Sequence, residues 1–90
     1  MKTIKELKAY LVNTLPHAKI YLFGSRAKNN ESLYSDVDIA IQSDKLSTKD
    51  FAELKFAIEE SNLPYKVDLI DLAKAPYLRE IVYKEGVRWQ

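Results

Sequence analysis

Three short apolar runs, at 20–23, 36–41 and 66–72, alternate along this 90-residue chain with stretches whose apolar residues recur every three or four positions. Short apolar or alternating runs suit strands, and the three-to-four spacing suits amphipathic helices. Elements of both kinds in so short a chain bury their apolar faces only by stacking in layers. The expected fold class is therefore α/β (α+β), a small mixed β-sheet with flanking helices.

The boundaries follow from local chemistry. Thr3 and Glu6 have the spacing of a capping box, and Ile4, Leu7, Leu11 and Leu15 follow at helical intervals. Pro16 ends that helix, because the residue before a proline is pushed out of the α region. Ile20, Tyr21, Leu22 and Phe23, closed by Gly24, read as a buried strand. Residues 25–35 are polar and turn-prone and open on a short helix. The run 36–41 reads as a second strand. Ser47 or Thr48 caps the next helix, whose stripe is Phe51, Leu54 and Ile58, and residues 62–64 stop it. The run 66–72 alternates as a third strand. A last helix follows Pro76 with Leu78, Ile81 and Val82 on one face and Gly86 as its C′ residue. No repeat or linker interrupts the order, so residues 1–90 are expected to form a single domain.

Composition removes several classes of function. Fourteen basic and thirteen acidic residues leave a net charge of +1, which argues against binding nucleic acid by bulk charge. With no cysteine and one histidine, His17, disulfide frameworks and thiolate or histidine-rich zinc sites are excluded. No apolar run approaches the ~20 residues that span a bilayer, and 1–6 is a charged helix start rather than a signal peptide. The expectation is a cytoplasmic protein without membrane contact.

The chemistry concentrates in two neighbouring segments. Residues i and i+2 of a strand project from one face, so Asp36 and Asp38 point into the same volume. Adjacent like charges are costly without a cation between them. Mg2+ meets that need, since it takes oxygen ligands and keeps waters and phosphates in its shell. Two such ions clamp the attacking and leaving oxygens of an in-line phosphoryl displacement. Asp68, on the third strand, adds a ligand or accepts the nucleophile's proton if that strand pairs with the second. Asp71, three residues on, falls on the other face and ranks below it. Upstream, Gly24 and Ser25 stand between a strand and a helix start, where the backbone approaches an anion closely. Arg26 and Lys28 add positive charge for a triphosphate. A Gly-Ser turn, an Asp-x-Asp pair or one outward strand acid is each commonplace alone; their conjunction in this order is not.

Phe23-Gly24-Ser25, ten further residues, then Asp36-Val37-Asp38-Ile39 resembles the signature of the DNA polymerase β-like nucleotidyltransferase superfamily. The short form, with Gly-Ser-Arg-Ala at 24–27, is most similar to its minimal nucleotidyltransferases, the MNT-domain proteins. Lys66-Val67-Asp68-Leu69 resembles the third acidic strand, and the 81–86 segment resembles the usual ending. The resemblance implies a polymerase β-like fold and transfer of a nucleoside monophosphate, AMP from ATP, with Mg2+ and release of pyrophosphate. By the same resemblance Asp36, Asp38 and Asp68 are the catalytic, metal-holding acids, and Gly24, Ser25, Arg26 and Lys28 bind the nucleotide. Lys28-Asn29 departs from the Arg-Gly common in the family. Asparagine tolerates the same turn, while lysine offers a point charge rather than a bidentate fork.

Relatives of this form pair with an all-helical HEPN partner as antitoxins, in some systems by adenylylating it. The chain is too short to carry its own acceptor-binding domain, so the acceptor surface is expected from such a partner or from a homo-oligomer. Tyr10, Tyr21, Tyr34, Tyr65, Tyr77, Tyr83 and Trp89 are candidate interface anchors, Trp89 foremost. Two alternatives stand beside protein adenylylation: a non-catalytic antitoxin that acts by contact, and a small-molecule nucleotidyltransferase subunit of the aminoglycoside type.

Overall fold

The computed structural model describes residues 3–23 and 37–90. Helix α1 (Ile4–Thr14) opens as its sequence dictates, with the Thr3 hydroxyl accepting from the Glu6 N–H at 3.1 Å. Leu7 and Leu11, one turn apart, are wholly buried. The helix stops at Leu15, its C-cap, directly before Pro16.

Strands β1 (Lys19–Phe23) and β2 (Val37–Gln42) are antiparallel, with Ile20 opposite Ile41 and Phe23 opposite Asp38. Helix α2 (Thr48–Glu60) begins with a full capping box: Ser47 Oγ accepts from the Asp50 N–H and the Asp50 carboxylate from the Ser47 N–H. It ends at Ser61, and Asn62 follows in the left-handed conformation, φ 60°, which asparagine tolerates better than most residues. Strand β3 (Val67–Asp71) lies parallel to β2. A parallel neighbour needs a crossover, and α2 supplies it.

The chain then turns through a 3-10 segment (Pro76–Leu78) into helix α3 (Arg79–Glu85) and a short strand β4 (Val87–Arg88) antiparallel to β1. The sheet order is β3-β2-β1-β4. Beyond β4 the pairing continues, because Trp89 N–H donates to Ile20 O at 2.8 Å and Ile20 N–H to Gln90 O at 3.0 Å. The Gln90 amide reaches the turn after α1 and donates to the carbonyls of Leu15 and Ala18 at 2.6 and 2.8 Å.

Alternation along the strands sorts the core into two parts. Ile20, Val37, Ile39 and Ile41 pack with Leu7 and Leu11 of α1 and Leu54 and Ile58 of α2 on one face. Tyr21, Ala40, Leu72 and Val82 form a smaller cluster on the other, beneath α3.

Three details differ from the sequence reading. The β4 strand was not expected, because two residues carry no readable period. Gly86 caps α3 with φ −78° and ψ 157°, so its use is space rather than a left-handed turn. A Cβ there would lie 2.5 Å from Val82 O and 3.3 Å from Leu22 O. Trp89, read as the foremost interface anchor, packs against the larger core. The short helix expected at the start of 25–35 lies outside the described residues.

Candidate functional site

On β2, Val37, Ile39 and Ile41 are buried among the residues of α1 and α2. Successive strand side chains alternate, so Asp38 and Ala40 project from the opposite face. On β3, Val67 and Leu69 pack toward the same two helices, which turns Asp68 to the face of Asp38. The parallel register then sets Asp38 directly beside Asp68, on strands about 4.8 Å apart. A backbone hydrogen bond of 2.8 Å from Val37 N–H to Lys66 O fixes that register at the end of the pair where the acids stand.

Both acids are half-buried, and Phe23, opposite Asp38 on β1, lies on the same face. Two carboxylates in lateral register repel each other unless a cation shares them. The donor set is oxygen only, which fits a hard divalent ion such as Mg2+. Among the described residues no three acidic or imidazole groups converge as a metal cluster. Asp36, the third member expected, lies outside them. So do Gly24, Ser25, Arg26 and Lys28, which occupy the segment joining β1 to β2.

Asp71 falls on the other parity of β3, and its carboxylate accepts from the Ala73 N–H at 3.0 Å. It fastens a turn. Asp68 also lines a recess of about 340 Å3 between β3 and the end of α2, in company with Lys55 and Lys66. The sequence reading singled out neither lysine: one sits on a helix and the other before a strand, and only the fold brings them together.

Helix α3 covers the other end of this face. Val82 is buried against Tyr21, Ala40 and Leu72. The Tyr83 ring stands 5.4 Å from that of Tyr21, and its hydroxyl donates to Gln42 Oε1 at the far end of β2. The face is thus divided along the strands, with α3 toward Gln42 and the acid pair toward Val37. An acid pair in register on one face of the sheet, beside a strand that runs into Gly24, is suited to phosphoryl chemistry.

Residues 5–88 match the family described as "Polymerase beta, Nucleotidyltransferase". The chain is 40% identical over 82 residues to a Haemophilus influenzae protein named "Probable protein adenylyltransferase MntA", covering 87% of this chain and 70% of that one. Among solved structures it resembles a toxin–antitoxin crystallised with AMP-PNP: TM-score 0.78, 29% identity, 96% of this chain and 71% of that one. It also resembles a complex of a tri-AMPylated Shewanella oneidensis HEPN toxin with its MNT antitoxin, at TM-score 0.64 and 28% identity, covering 96% of this chain and 71% of the other. No helix among the described residues is long and apolar enough to cross a membrane.

Proposed function

The chain belongs to the polymerase β nucleotidyltransferase family, and from that premise we propose that it transfers AMP from ATP to a hydroxyl of a HEPN-type helical protein, acting as its antitoxin. The observation that carries this reading is the lateral register of Asp38 and Asp68 on one face of the sheet. Support for the donor comes from the AMP-PNP complex, and for the acceptor from the AMPylated HEPN toxin, both in relatives of like fold.

In this reading the acceptor oxygen attacks the α-phosphorus of ATP, a P–O bond forms, and the bond to the bridging oxygen of the β-phosphate breaks. Pyrophosphate leaves, and the hydroxyl proton passes to a carboxylate, a role this reading gives to Asp68. Asp36, Asp38 and Asp68 would hold Mg2+, which when bound supplies the positive charge that steadies the attacking and leaving oxygens. Gly24 and Ser25 receive the phosphates, with Arg26 and Lys28 neutralising their charge.

Label from α-labelled ATP tests the reading. Incorporation into a HEPN-type partner with Mg2+ present is expected for the wild type. An Asp38→Ala, Asp68→Ala variant should lose it by a factor of about a hundred or more. Undiminished labelling by that variant would overturn the assignment of the acids.

A further inference from the structure

We infer that Phe23 is a positioning residue of the acid pair: its ring is a wall on the β1 side that turns the Asp38 carboxylate toward Asp68. This rests on the reading above that the two acids share a divalent cation. The strand registers set Phe23 opposite Asp38 and Asp38 beside Asp68, so the three form one row across β1, β2 and β3. Strand parity turns all three to the same face. Asp38, in the middle of the row, has an aromatic residue on one side and a carboxylate on the other.

The next row on that face is Tyr21, Ala40 and Ile70, which carries no charge. Val82 is buried with Tyr21 and Ala40, and Phe23 packs against this cluster. Tyr21 is 9% exposed and Ala40 wholly buried, whereas Phe23 is half-buried. Phe23 thus stands at the margin of the apolar cluster, between its packed side chains and the acid row. A phenyl ring offers no hydrogen bond, so a carboxylate leaning toward β1 would shed water without gaining a donor. Leaning toward β3, on a strand about 4.8 Å away, it shares a cation with Asp68. An apolar neighbour also lowers the local dielectric, which strengthens the attraction between carboxylate and cation. The ring therefore favours the orientation in which the two acids bind a metal as a unit.

Mn2+, another divalent ion suited to carboxylate oxygens and visible by paramagnetic resonance, is the probe, titrated into the nucleotide-free chain. Phe23→Ala should bind it about tenfold more weakly than the wild type, the usual cost of losing a group that orients a metal ligand. Phe23→Leu restores an apolar wall and should stay close to the wild type. Phe23→Val should fall between the two, and carries the test if the alanine variant does not fold. Val82→Ala removes bulk from the same cluster outside the acid row, so it should lower the melting temperature and leave the Mn2+ affinity unchanged. Equal weakening by Phe23→Ala and Val82→Ala would assign the loss to packing and overturn the wall. Wild-type Mn2+ affinity in the Phe23 variants overturns it as well, as does a wild type that binds no Mn2+ yet transfers label with Mg2+. Graded weakening across the Phe23 variants, in a chain that labels no HEPN-type partner, supports the wall and counts against adenylylation.

Discussion

The two faces of the sheet are built from alternate residues of the same strands, yet they carry different burdens. On the face toward α1 and α2, Val37, Ile39 and Ile41 are completely buried under two helices. On the other face the same strand offers Asp38, Ala40 and Gln42, beneath one seven-residue helix that covers part of it. Burial of apolar area is the main source of stability, and the first face holds most of it. Among the described residues that lets the second face carry two acids in register where the first carries apolar cover. A period of two lets one strand hold the structure together with its odd residues and present chemistry with its even ones.

Separating stability from activity by face is the sharpest test of this division. Ile39→Ala should cost about 2–5 kcal/mol of stability in a urea titration, with turnover per folded molecule kept. One residue earlier, Asp38→Asn should lose most of the label transfer while costing much less stability than Ile39→Ala, because half-buried Asp38 adds no apolar area to the core. If Asp38→Asn proves as destabilising as Ile39→Ala, the faces do not divide the work.

Smaller effects refine how α3 is joined to the acid face. Gly86→Ala puts a methyl 2.5 Å from Val82 O, so the end of α3 has to lift from β1 near Leu22. A loss of about 1–3 kcal/mol is expected in thermal melts. The smallest effect lies behind the sheet, at the start of α2. The Ser47 N–H, and next its hydroxyl, hold the Asp50 carboxyl below its ordinary value. A carboxyl lowered in the folded state contributes stability above its unfolded value, about 3.9, and loses it as pH falls through the folded value. The gap in melting temperature between wild type and Asp50→Ala should therefore be full at neutral pH and narrow in acid below that value.

Much of this division was legible before any fold was known. The alternation through 36–41 and 66–72 already placed Asp38 and Asp68 on outward positions and set Asp71 apart. The caps at Thr3 and Ser47 and the stop at Pro16 were readable because each acts within one helical turn. What escaped the sequence depends on residues distant in the chain. The Asp38–Asp68 register required the parallel pairing of β2 with β3, which nothing local specifies. The seat of α3 on that face was fixed only when Tyr83 found Gln42, 41 residues away. Trp89 looked free because its strand is too short to show a pattern, and the two core residues that Gln90 caps lie at the chain's other end. For Gly24, Ser25, Arg26, Lys28 and Asp36 the reading stands on sequence and on the proposed function.

The fastening of residues 89 and 90 to β1 bears on how the chain matures during synthesis. β1 gains its first neighbour as soon as β2 has emerged, but its second edge is closed by residues that follow much later. Gln90 reaches back across 75 positions to Leu15. Until then a nascent chain presents an unpaired strand edge beside an incomplete core, the form most open to pairing with a wrong partner. Residues 87–90 therefore work as a closing stitch, and a chain cut before them would hold a sheet with one side undone.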